Sequence, residues 1–247
     1  MKYPTLVVIP VFLAAATTLA QMPVPAAEVT AKPWSGEAAI SFVQTTGNTE
    51  NQTLGAGLKA AWQNAPWKVS FAAAYLRAKA ADIETARKTN AALRGDYDLT
   101  ARIGVYAQEG YLKDRFAGIE SQWISEAGGT YKLLLGPVHS LSASAGIAYT
   151  SENRLPPDSD RRFLGGIAGI SYKWKISSSA DFGEDAVFLQ SFKASRDWRF
   201  NNAASLSVSM TKVLAVKLKH QLSYLHLPAT GKTRTDTTLL ASLVAKL

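Results

Sequence analysis

The sequence predicts an all-β protein, an antiparallel up-and-down transmembrane β-barrel of about 12 strands behind an export signal. Three observations carry that reading. Apolar and polar residues alternate with a period of two through nearly all of the chain after residue 33. The connections between alternating segments are short and long by turns. Aromatic residues gather at the two ends of the segments.

The first element is the signal. Lys2 supplies one positive charge, and Leu6 to Leu19 is uncharged, apolar and interrupted by Pro10. That is shorter than the roughly 20 apolar residues of a spanning helix and fits a secretory h-region. Small residues offer cleavage after Ala20 or after Ala26, so residues 1–26 are assigned to the signal and 27–247 to the barrel domain.

The alternating segments follow in order. Trp34, Gly36, Ala38, Ile40 and Phe42 share one face against Ser35, Glu37, Ala39 and Ser41. Leu54 to Trp62 and Trp67 to Tyr75 repeat the device around a turn at Asn64-Ala65-Pro66. Ala91, Leu93, Gly95, Tyr97 and Leu99 oppose Asn90, Arg94, Asp96 and Asp98, and Ile103, Val105, Ala107 and Tyr111 oppose Arg102, Tyr106 and Gln108. Trp123, Ala127 and Tyr131 oppose Glu120, Gln122, Glu126 and Thr130, and Leu141 to Tyr149 oppose a row of serines. Ala168 to Trp174 follow. The stretch 180–192 is the least regular and is expected to hold a bulge or a change of face. Leu206 to Met210, Val216 to Tyr224 and Thr237 to Leu247 complete the set.

Among the connections, 64–66, Thr100, 133–138, 177–179 and 212–215 are expected to be short. Those at 79–88, 113–119, 151–162, 191–199 and 228–235 are expected to be longer. Short periplasmic turns facing longer outer loops are the asymmetry of an outer-membrane barrel, and a soluble sandwich has no reason to alternate this way. Trp62, Trp67, Tyr97, Tyr131, Tyr172 and Trp174 lie near the short turns, and Tyr75, Tyr111, Tyr149 and Tyr224 near the long loops. These ten are the candidate interfacial girdles. On the opposite parity, Arg94, Asp96, Asp98, Arg102, Glu120, Gln122, Glu126, Lys217 and Lys219 are the candidate polar lining of the lumen.

Composition narrows the chemistry. The chain has no cysteine, which excludes thiol redox centres, zinc ribbons and cysteine nucleophiles. Its net charge of +8 is scattered along the chain without a basic helix, so nucleic acid is not an expected partner. The three histidines, His139, His220 and His226, form no metal-ligand spacing, and no Gly-x-Ser-x-Gly is present. His220 and Ser223 are an odd number of residues apart and face opposite sides of a strand. Asp96 and Asp98 share a face beside Arg94 and Arg102, which reads as an internal salt-bridge network before it reads as a glycosidase dyad. No catalytic residue, metal or cofactor is expected.

The start Trp34-Ser35-Gly36, the turn Thr45-Thr46-Gly47-Asn48-Thr49, the loop Asp114-Arg115-Phe116-Ala117-Gly118-Ile119 and the closing Thr235-Asp236-Thr237-Thr238 are similar to domain of unknown function family 481. Its members are often labelled salt-induced outer membrane proteins. The resemblance spans about residues 34–247 and implies an outer-membrane barrel without an established activity. It departs at Leu247, where such barrels usually end in an aromatic residue.

The function expected is that of a narrow pore or a structural component of the bacterial outer membrane. The expected partners are outer-membrane lipids, lipopolysaccharide and the barrel-assembly machinery. The alternatives are an outer-membrane enzyme acting on lipid or lipopolysaccharide, and a soluble periplasmic β-sandwich or lipid carrier.

Overall fold

The computed structural model describes residues 33–45 and 51–246. The export signal, its cleavage site and the turn at 46–50 lie outside the described residues. Twelve antiparallel strands form a closed barrel, each paired with its sequence neighbours and β1 closing on β12. They are β1 (Trp34–Thr45), β2 (Asn51–Asn64), β3 (Trp67–Ala80), β4 (Ile83–Asp98), β5 (Ile103–Asp114) and β6 (Ile119–Leu135). After them come β7 (His139–Arg154), β8 (Arg161–Lys175), β9 (Ala180–Ser191), β10 (Trp198–Ser209), β11 (Leu214–Leu225) and β12 (Thr235–Lys246). Closure removes every open sheet edge, the requirement for a sheet surrounded by hydrocarbon.

Burial sorts the two faces. In a closed barrel the side chains shielded from water face inward, because nothing covers the outside. On β5, Gly104, Tyr106, Gln108, Gly110, Leu112 and Asp114 are buried on alternate positions. Leu93, Ile147, Leu164, Ile170 and Leu239, on the other parity, are each more than half exposed. This exposed apolar belt is the surface a barrel shows to lipid.

The strands are 12 to 17 residues long, whereas about 9–11 suffice to cross the hydrocarbon core. The excess corrects the expected loop lengths. The connection expected at 79–88 is only Ala81 and Asp82, whose φ angles of 47° and 60° make a two-residue hairpin turn. The connections expected at 151–162 and 191–199 shrink to 155–160 and 192–197. In each case the strands run on past the membrane, where no lipid imposes an apolar face. Of the five longer connections only that at 226–234 starts before its expected bounds, and among the short turns Thr100 widens to 99–102, 177–179 to 176–179, and 212–215 moves to 210–213. The bulge or change of face expected at 180–192 is also corrected. β9 pairs with β8 and β10 without a register shift. Its pattern is obscured because Val187 and Leu189 are buried inward while Glu184 is exposed outward.

A second apolar cluster lies inside the barrel. Leu112, Ile119, Ile124, Ala148, Phe163, Ile167, Val187 and Leu189 pack together within the loop-side half of β5–β9. Both described chain ends lie at the opposite, turn side, the end that faces the periplasm in barrels of this kind.

Candidate functional site

The lumen is the candidate site, and its two halves differ. In the loop-side half, β7 directs Thr150, Glu152 and Arg154 inward on alternate positions, and β10 does the same with Arg199 and Asn201. Glu152 is fully buried and accepts hydrogen bonds from Arg154 Nε at 2.5 Å, Arg199 Nη1 at 2.7 Å and the Gln122 amide. A buried carboxylate needs this much compensation for its lost hydration. Arg199 Nε lies 3.8 Å from Asp197, which Arg161 meets at 3.2 Å. Arg154 Nη1 and Arg199 Nη2 are buried without a hydrogen-bond partner among the described residues, an unsatisfied arrangement that costs stability. On the other wall Lys88 and Asp114, both almost fully buried, approach to 3.8 Å.

Three loops close over this layer. Arg154 Nη2 and Arg161 Nη1 donate to the Leu227 carbonyl of the 226–234 loop at 3.2 Å and 3.4 Å. Thr230 donates its backbone N–H and its hydroxyl to Asp158 at 2.7 Å and 2.8 Å. Those two hydrogen bonds hold the exposed Asp158 carboxyl below its ordinary pKa. Leu155 N–H donates to the Gly118 carbonyl at 2.9 Å. Gly118 caps the 3-10 turn Arg115–Ala117 in the left-handed region at φ 81°. A Cβ there would lie 2.6 Å from the Ala229 methyl, so glycine allows the 226–234 loop to close down.

One layer deeper, Arg94 lies 3.9 Å above the Tyr106 ring and pairs with Asp96 at 2.8 Å. Gln108 donates to Glu126 at 3.3 Å. Arg94, Tyr106, Gln108 and Glu126, with Ser144 and Val187, line a cavity with room for about one water. Below it the lumen is wetter. Lys59, Lys173, Lys217 and Lys219 are half-buried and face inward beside the small residues Gly183, Ser205 and Ser207. Lys59, Lys173 and Lys219 all lie within electrostatic reach of Asp185. Lys217 pairs with Glu37 at 2.7 Å.

The residues singled out from sequence divide accordingly. Arg94, Asp96, Gln122, Glu126, Lys217 and Lys219 lie inside the barrel. Asp98 sits at the turn-side mouth, paired with Lys132 at 2.7 Å, so the two aspartates at 96 and 98 each hold a separate base. Two candidates are corrected. Arg102 belongs to the turn at 99–102 and donates to the Lys132 and Leu133 carbonyls. Glu120 follows a bulge at Ile119/Ser121 that takes it to the outer rim, where it pairs with Lys113 at 3.0 Å and Arg115 at 2.6 Å. Glu37, Lys59, Lys173, Glu152, Arg154, Asp185 and Arg199 also face the lumen; the period of two reaches Glu37, Lys59 and Lys173, whereas Glu152, Arg154 and Arg199 fall in segments whose polarity reads as loop and Asp185 in the irregular stretch 180–192.

The aromatics form contacts at both ends. Trp67 packs on Tyr97 at 4.7 Å and Trp34 on Trp62 at 6.4 Å near the turns. His139 stacks between Tyr172 and Trp174 at the same end. Tyr131 lies in the outward row of β6, paired with Ile103 and Ala143. At the loop end Tyr111 meets Trp123 at 4.8 Å, and Trp198 meets Tyr224 at 4.7 Å. Tyr75 and Tyr149 share that level on β3 and β7. Trp34, Trp123 and Trp198 thus join the aromatic ends. His226 lies over Trp198 at 5.2 Å and 3.4 Å from the Tyr224 hydroxyl. Among the described residues no group of three or more His, Asp or Glu is placed to hold a metal.

Comparison with known proteins agrees with the fold. The family model described as "Protein of unknown function, DUF481" matches residues 38–247. The uncharacterized protein YdiY of Escherichia coli (strain K12) is 23% identical over 193 residues, covering 78% of this chain and 75% of that one. A NanC porin superposes with a TM-score of 0.52 at 10% identity, over 86% of this chain and 98% of the porin. An outer membrane channel from Pseudomonas putida F1 superposes with a TM-score of 0.52 at 11% identity, over 97% and 98% of the two chains. The shared fold and the exposed apolar belt place the barrel in the bacterial outer membrane.

Proposed function

This chain belongs to the DUF481 family, which has no activity to inherit, and on that premise we propose that it is a narrow channel, shut at rest near its outer end and entered from the periplasmic end by small anions. The observation that carries the reading is the buried Glu152–Arg154–Arg199 layer under the 226–234 loop, set above an accessible wall of lysines. A barrel that only braces the envelope gains nothing from burying such a layer. Apolar side chains of equal volume fill a lumen at least as stably as a buried ion network. Ion pairs tied to a loop carbonyl can instead be undone when the loop moves, which is how a gate works. Lys59, Lys173, Lys217 and Lys219 outnumber the carboxylates Glu37 and Asp185 beside them, so the open half favours anions.

The experiment is single-channel recording in planar bilayers. The native protein should be silent or flicker rarely. A variant lacking residues 227–233 should conduct, with chloride more permeant than potassium. The apolar cluster of Leu112, Ile124, Phe163 and Leu189 favours a second reading, a permanently filled structural barrel. Silence of the loop-deleted variant, with the barrel intact, would decide for it. Lipopolysaccharide is the anionic surface that the rim residues Arg77, Arg87, Lys113 and Arg115 would meet.

A further inference from the structure

On the adjacent strands β9, β10 and β11 three polar side chains face outward, a denser polar patch than Glu109 and Ser125 make on β5 and β6. On β9, β10 and β11 the outward positions are Phe182, Glu184, Ala186 and Phe188, then Phe200, Asn202, Ala204 and Leu206, then Val216, Leu218, His220 and Leu222. Their neighbours on the same parity, Phe188, Leu206, Val216 and Leu218, are exposed members of the apolar belt. Glu184, Asn202 and His220 therefore project toward lipid. Glu184 and His220 flank Ala204 in a single cross-strand row, since Ala204 pairs with both. Asn202 donates to Glu184 Oε1 at 3.0 Å. His220 lies midway along β11, two outward positions from Tyr224 and three from Leu214.

Hydrocarbon offers such groups no hydrogen bonds, and ionisable residues at this depth mark contacts with something other than lipid. One carboxylate neighbour does not satisfy a side chain amide, and His220 has no hydrogen-bond partner among the described residues. We propose that this face is a dimer interface in the membrane, and that its occupant is a second copy of the same barrel. The argument is complementarity. A two-fold axis along the membrane normal beside Ala204 brings the acceptor Glu184 of one barrel to the partner subunit's His220, and the reverse pair follows by symmetry. Ala204 and Ala186 leave the centre of the patch flat, which permits close approach of two barrel walls. The apolar rim of Ile170, Phe188, Leu206 and Leu218 then packs around a polar centre.

The chain's lack of cysteine gives a clean test. Ala204→Cys in native membranes should form an intermolecular disulfide on mild oxidation, while Leu58→Cys, in an apolar row of β2 away from this face, should not. Glu184→Leu and His220→Leu place lipid-compatible side chains on the outer face. Each removes both symmetry-related Glu184–His220 pairs and should raise the dimer dissociation constant in nanodiscs about tenfold, the loss of two weak intramembrane hydrogen bonds. Both should keep the heat-modifiable gel mobility of a closed barrel, which separates lost association from lost folding. The exchange Glu184→His with His220→Glu should restore the dimer. A monomeric native protein, a disulfide adduct of another mass, or undiminished dimerisation of Glu184→Leu would overturn the proposal.

Discussion

Replacing Glu152 with alanine should both destabilise the barrel and open it. The carboxylate is fully buried and holds two guanidiniums that are themselves 1% and 2% exposed. Alanine leaves both cations facing each other in a site closed to water. Removing one partner of a buried pair costs about 3–5 kcal/mol. Arg199 retains Asp197 at 3.8 Å as a fallback, which pulls the expected loss toward the lower part of that range. Arg154 keeps only the Leu227 carbonyl and should drag the 226–234 loop with it when it seeks water. Urea unfolding in phospholipid vesicles, followed by tryptophan fluorescence, reads the first effect, and bilayer conductance reads the second. A loss below about 1 kcal/mol would refute the claim that the network is desolvated. A large loss without conductance would keep the network and refute the gate.

The loops and the lysine wall give further expectations. Gly118→Ala places a methyl against Ala229 at a positive φ and should cost about 1–2 kcal/mol, with faster proteolysis inside 226–234. The Asp158 carboxyl is held below its ordinary value by Thr230, so its contribution is present at neutral pH and is lost only as pH falls below 3.8 and through the lowered pKa. Hydrogen exchange of the Thr230 amide should therefore speed up, relative to its intrinsic rate, in strong acid alone, and opening near pH 6 would contradict this clasp. In a variant opened by loop deletion, Lys59→Gln with Lys219→Gln should move the chloride-to-potassium permeability ratio toward unity. An unchanged ratio would mean that anions do not meet this wall.

Lipid made the barrel legible. Lipid favours apolar residues at membrane-facing positions and requires each backbone group to be paired, so the period of two survives wherever hydrocarbon enforces it. Leu93, Ile147 and Leu239 obey it. Legibility failed where that constraint lapses. Glu152 and Arg199 sit on strand extensions beyond the belt, and their polarity reads as loop although the strands continue. On β9 the rule is inverted, with Val187 and Leu189 inside and Glu184 outside, so the two signals cancel. The bulge beside Glu120 shifts the parity by one residue, which no composition records. The pairing of Glu152 with Arg154 and Arg199 joins β7 to β10 across the lumen, a distance only closure of the barrel sets.

The claim at the centre is a lumen open to the periplasm and shut above Arg94. Thiol accessibility tests it most directly, because the native chain contains no cysteine. Ser207→Cys lies on the wet wall, and Thr150→Cys lies in the buried layer. A bulky maleimide that cannot pass the outer membrane should leave both unmodified in intact cells. After the periplasm is exposed, a small maleimide should label Ser207→Cys quickly and Thr150→Cys hardly at all. Labelling of Ser207→Cys from outside intact cells, or rapid labelling of Thr150→Cys from either side, would contradict a lumen closed by its own side chains.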